Sequence, residues 1–100
     1  MTGAYMSVAT NAEDDMRQRA EWMAPADDVI LELLRDEGNM TPLYITECGG
    51  PSRDYVRERL PVLTKYGLVE RISSGLYRLT DDGRSYLDEE LDASTLDPVE

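Results

Sequence analysis

Residues 67–87, "GLVERISSGLYRLTDDGRSYL", leave little freedom of fold. Two short runs suited to strands, near Leu68 to Ile72 and Leu76 to Leu79, flank a turn at Ser73, Ser74 and Gly75. That pattern predicts a small antiparallel hairpin. Thr80 then stands where a helix N-cap belongs, and Asp81 and Asp82 suit the positive end of the helix that follows. Tyr86, Leu87 and Leu91 are its expected buried face. A two-stranded ribbon held between helices cannot bury itself, so the rest of the chain must supply its core.

Upstream, the punctuation is helical. Pro25 suits a first turn, with Asp27 and Asp28 at the positive end, and Val29, Ile30, Leu33 and Leu34 make an apolar face that stops at Gly38. Thr41 and Pro42 read as N-cap and first helical residue of a short helix to about Cys48, burying Ile45 with either Leu43 or Tyr44. Gly49, Gly50 and Pro51 give a tight turn. Ser52 caps the next helix, residues 52–66, whose stripe is Val56, Leu60 and Leu63. Pro61 falls inside it and is expected to kink it. Met16, Ala20 and Met23, spaced i, i+4, i+7, predict a further short helix over 12–23. Residues 1–11 read as a disordered leader, 12–91 as the folded domain and 92–100 as an acidic tail.

The fold class is therefore mainly α with a small β-hairpin. Two helices joined by a short glycine-bearing turn form a helix-turn-helix unit, whose second helix enters the DNA major groove in proteins that use it for binding.

Composition narrows the chemistry. The 100 residues contain one cysteine and no histidine, which excludes an internal disulfide, a Cys/His zinc site and histidine-based catalysis. The acidic clusters read as solvated faces and helix ends, so the chain is read as no enzyme, with no metal and no cofactor. No apolar run reaches the roughly 20 residues of a membrane helix, and no signal peptide is visible, which predicts a cytoplasmic protein. The formal charge is −11, and the ten basic residues are nine arginines and one lysine. Such an acidic, lysine-poor chain suits a high-salt cytoplasm, where surface self-repulsion is screened.

The positive charge is not spread evenly. Residues 49–79 hold six basic and three acidic residues, a net +3, which leaves −14 for the remainder. The candidate DNA-binding residues are Ser52, Arg53, Tyr55, Arg57, Lys65, Arg71 and Arg78. Arg53 and Arg57, at i, i+4 near the start of helix 52–66, are expected to grip guanine or phosphate rather than pair locally with Asp54. Ser52 caps the helix and offers a hydroxyl to phosphate. Tyr55 is either a core flank or a groove contact. Arg59 and Lys65 read as backbone contacts or solvated groups. Arg71 and Arg78 on the hairpin either meet DNA or pair with acids such as Glu70.

These residues also carry a family resemblance. Ile45, Ser52–Arg53 and Val56 with Leu60, the junction "LTKYGLVER" (63–71) and the segment "GLYRLTDDG" (75–83) together resemble winged helix-turn-helix transcription regulators. With "RAEWM" (19–23) the chain is similar to small haloarchaeal phage-repressor-like winged-helix proteins over about residues 17–91. The resemblance implies a sequence-specific repressor of transcription. Helix 52–66 would read the major groove of double-stranded DNA, and wing 68–79 the backbone or minor groove. It also implies a homodimer formed through helix 12–23 or helix 81–91. No small-molecule ligand is evident in the sequence. The alternative reading is a winged-helix protein-interaction module that does not bind DNA.

Overall fold

A computed structural model describes residues 16–98. The expected leader, residues 1–11, lies outside them. In chain order come α1 (Pro25–Glu37), α2 (Pro42–Glu47), α3 (Arg53–Lys65), β1 (Val69–Ser73), β2 (Leu76–Leu79), α4 (Asp81–Leu87) and one 3-10 turn (Ala93–Thr95).

The helix starts follow local chemistry. The Tyr44 N–H donates to Thr41 Oγ1 at 3.2 Å, the Tyr55 N–H to Ser52 Oγ at 3.3 Å and the Gly83 N–H to Thr80 Oγ1 at 3.0 Å. Each cap of this kind contributes about 1 kcal/mol. Helix α1 is capped differently. The Asp27 carboxylate reaches back to the Ala24 N–H at 2.9 Å, half of a capping box. The chain leaves α1 at Gly38 with φ of 92°, a conformation that glycine adopts without strain.

One core joins all elements. Ile30, Leu31 and Leu34 from α1 meet Ile45 from α2 and Val56, Leu60 and Leu63 from α3, with Leu68, Val69, Leu79, Tyr86 and Leu87 closing it below the hairpin. The strands pair antiparallel as Val69 with Leu79, Glu70 with Arg78 and Arg71 with Tyr77. A bulge then leaves Ile72 unpaired before Ser73 meets Leu76. Burial alternates only at the end of β2, where Leu79 is buried and Arg78 exposed; in β1 Val69 alone is buried. Met40 adds a further rung from outside the hairpin, exchanging hydrogen bonds of 3.0 and 2.9 Å with Tyr77. This rung fixes the hairpin beside the start of α2.

Several expectations need correction. Residues 16–23 are not helical, and residues 12–15 lie outside the described chain. The segment instead lies along the C-terminal end: Gln18 bridges Asp92, and the Ala93 N–H donates to the Gln18 carbonyl at 2.9 Å. Ala20 is buried there, and Trp22 stacks on Tyr66 with ring centroids 3.9 Å apart. Of the apolar residues that the i, i+4, i+7 spacing assigned to a helix, this course buries Ala20 and packs Met23 partly against the core, while Met16 stays exposed. For the same reason the stretch read as a tail begins inside the fold, with Ala93 fully buried. Helix α4 ends at Leu87, four residues before the expected Leu91. Its C-cap is Asp88, and Glu89 follows with φ of 68°. Leu91 nevertheless packs on the core from outside the helix. In α2 only Ile45 is buried, and both Leu43 and Tyr44 are 46% exposed. Helix α3 continues through Pro61, which is exposed and lacks one backbone donor. Helices α2 and α3 with the following hairpin make a winged helix-turn-helix fold.

Candidate nucleic-acid interface

Helix α3 turns Val56, Leu60 and Leu63 inward, which leaves its opposite side to solvent. Arg53 and Arg57, one turn apart, are both exposed. They do not stand on the outermost ridge. They line a groove of about 300 Å³ whose other walls are Thr41, Pro42 and Leu43 at the start of α2 and Ser74 and Gly75 at the wing tip. Among the described residues, no carboxylate belongs to that lining. The outward ridge, about 100° further round the helix, carries Asp54 and Glu58, both exposed.

The remaining residues singled out in the sequence divide into two groups. Ser52 is exposed and engaged as the cap of α3, while Tyr55 is half-buried on the helix flank. Lys65 lies exposed in the last turn, where its charge suits the helix C-terminus. Arg71 is exposed on β1. Among the described residues no carboxylate comes within 4.0 Å of Arg53, Arg57, Lys65 or Arg71. The local Asp54–Arg57 pair does not form. Arg78 differs, since its Nε donates to Glu70 Oε1 at 2.7 Å across the hairpin.

Arg59 is corrected. It is neither solvated nor free for a backbone contact. Its Nε and Nη2 donate to the two oxygens of Asp27 at 2.9 and 2.8 Å, and Nη2 also reaches the Trp22 carbonyl at 3.0 Å. This bonding raises the guanidinium pKa above its ordinary value. Asp28 is likewise buried, accepting from the Tyr86 hydroxyl at 2.8 Å and pairing with Arg19 and Arg17. Burial, reinforced by that hydrogen bond, pushes the Tyr86 phenol upward.

The groove walls Thr41, Pro42, Leu43, Ser74 and Gly75 were not among the expected site residues. Thr41 and Pro42 were visible only as a helix start, and Ser74 and Gly75 only as a turn. What makes them neighbours is the Met40–Tyr77 rung, a tertiary pairing with no local signature. Among the described residues, no helix is long and apolar enough to cross a membrane, and no cluster of acidic or cysteine side chains is placed to hold a metal ion.

Comparison with known proteins agrees with this fold. The family model for the winged helix-turn-helix phage repressor matches residues 16–98. The chain is 36% identical to the repressor protein of Halobacterium phage phiH, over 82% of this chain and 98% of that one. It also superimposes on the crystal structure of the PhiH1 repressor-like protein from Haloarcula marismortui with a TM-score of 0.76 at 33% identity, covering 83% of this chain and 97% of the other. On these grounds the chain belongs to the winged helix-turn-helix phage repressor family.

Proposed function

We propose that the protein is a sequence-specific DNA-binding repressor, with α3 in the major groove and the hairpin wing against the adjacent backbone or minor groove. The observation that carries this reading is the pair Arg53 and Arg57. Both are exposed, neither has a carboxylate partner among the described residues, and both stand in a groove without acidic walls. In a chain of net charge −11 this is a local surface of the opposite sign, of the kind that attracts a polyanion. A phosphodiester backbone supplies that anion at regular spacing. Bound protein would block access of the transcription machinery to the promoter.

A homodimer is part of the reading. A two-fold protein would take a pseudo-palindromic site with half-sites about 34 Å apart. The same acidity that sets off the groove supports a cytoplasm of high salt as the working environment.

Selection of bound duplexes from random DNA at molar potassium chloride tests the proposal. A recurrent motif, ideally an inverted repeat, is expected. Recovery of unenriched sequence, together with retention of a protein partner through the α3 surface, would replace it with the protein-interaction reading.

A further inference from the structure

The groove beside α3 has an implication for how DNA would be read. We infer that it cradles one sugar-phosphate strand, so that Arg53 and Arg57 are phosphate contacts and not base readers. The inference rests on the DNA-binding reading above and assigns the contact class within it.

The argument is geometric. A recognition helix in the major groove and a wing at the neighbouring minor groove are separated on DNA by a single backbone ridge. In this protein the space between the helix and the wing tip is the groove of about 300 Å³. Its walls suit that ridge. Two guanidinium groups come from α3, and hydroxyls come from Thr41 and Ser74. Thr41 Oγ1 already accepts from the Tyr44 N–H, which leaves its own proton to donate. Pro42 and Leu43 give an apolar side against which deoxyribose can rest. No carboxylate opposes the anion, although Asp54 and Glu58 lie on the same helix.

Those two carboxylates occupy the ridge that projects furthest from the core. Base edges would therefore meet Asp54 and Glu58 before they meet the arginines. A carboxylate accepts a hydrogen bond from the cytosine amino group, and it repels phosphate. The division of labour is thus opposite to that expected from charge alone: cations hold the strand, and the acidic ridge faces the bases.

The test measures the chain and its Arg57→Ala and Arg57→Lys variants against the selected operator and a random duplex of equal length, across a wide range of potassium chloride. A phosphate contact predicts that Arg57→Ala weakens both duplexes by the same factor. It also predicts that the slope of log K against log salt flattens by about 1. Arg57→Lys should restore most of the slope, because a point charge suffices for phosphate and not for bidentate guanine. Loss confined to the operator, or an Arg57→Ala slope equal to that of the parent, overturns the inference while leaving the DNA-binding reading intact. A parent protein that binds neither duplex overturns both. Arg57 is exposed, so an unchanged far-ultraviolet dichroism spectrum verifies that the variants fold.

Discussion

Arg59 and Asp27 form a two-pronged ion pair between α3 and α1, with contacts of 2.9 and 2.8 Å, in which the Asp27 side chain is 0% and the Arg59 side chain 17% exposed. A carboxylate so buried depends on its partner more than on screening by salt. Arg59→Ala strands Asp27 in the core and removes a bond to the Trp22 carbonyl. The expected loss is about 3–5 kcal/mol in denaturant unfolding. Replacing both partners, as Asp27→Leu with Arg59→Met, should recover most of it, because no buried charge is then left alone. A single-variant loss below about 1 kcal/mol would mean that the pair contributes little to holding α3 against α1.

A second buried link gives a pH dependence with a definite sign. The Tyr86 hydroxyl donates to Asp28 Oδ1 at 2.8 Å inside the core, and burial raises the phenol pKa. A group whose pKa is raised by folding stabilises the protein fully below its unfolded value, about 10 for tyrosine, and loses that contribution as pH climbs toward the folded value. Stability should therefore fall on the alkaline side, above about pH 10. Tyr86→Phe should flatten this limb and cost about 1.5–3 kcal/mol near neutrality, the range for a hydrogen bond to a charged group. Chemical unfolding followed at a series of pH values checks both statements. An alkaline limb identical in the two proteins would assign it to other groups.

Gly83 sets how closely α4 approaches Leu68, just before β1, and Leu79 at the end of β2. A Cβ at this position would stand 2.2 Å from the Leu68 carbonyl oxygen and 2.5 Å from Leu79 Cδ1. That oxygen already accepts from the Thr80 N–H at 3.2 Å, so it cannot withdraw without breaking the junction. Alanine in a helix normally gains about 1 kcal/mol over glycine. Here Gly83→Ala should instead destabilise by about 1–3 kcal/mol or more, as overpacking does. In a domain of this size that lowers the melting temperature by roughly 4–8 °C per kcal/mol. An unchanged or higher melting temperature would show that the junction yields.

Much of this molecule was legible from local chemistry, and the larger exceptions share one cause. Thr41, Ser52 and Thr80 were readable as caps because a cap is satisfied within three residues of itself. The hairpin was readable because its turn lies between two strand-like runs, while the bulge at Ile72 and the pairing of Met40 with Tyr77 were missed. The larger failures depend on partners far along the chain. Asp27 and Asp28 were placed correctly at the helix start, but their burial against Arg59 and Tyr86 spans 32 and 58 residues. Residues 16–23 mimicked a helix because an extended course alongside Asp92 and Ala93 also buries Ala20. The site follows the same division. Arg53 and Arg57 were picked out by charge and spacing, while the wing tip that turns them into a groove is brought there by Met40 pairing with Tyr77.

The pairing of Arg78 with Glu70 supplies a gain-of-function prediction for the wing. The two residues face each other in the hairpin register, with a contact of 2.7 Å and side chains 48% and 55% exposed. An ion pair this exposed stabilises the fold by no more than about 1 kcal/mol. Its larger consequence is electrostatic, because the carboxylate cancels a cation at the place where the proposed interface meets phosphate. Glu70→Gln should leave unfolding within about 1 kcal/mol of the parent. DNA binding should tighten, and the salt slope should steepen by up to about 1 as Arg78 becomes free to displace a counterion. Glu90→Gln, beyond α4, changes the net charge equally and serves as the comparison. If the two variants tighten binding to the same small extent, the gain is long-range and the wing does not touch the backbone. If only Glu70→Gln steepens the slope, Arg78 reaches phosphate once its internal partner is removed, and the hairpin acid acts as a brake on affinity.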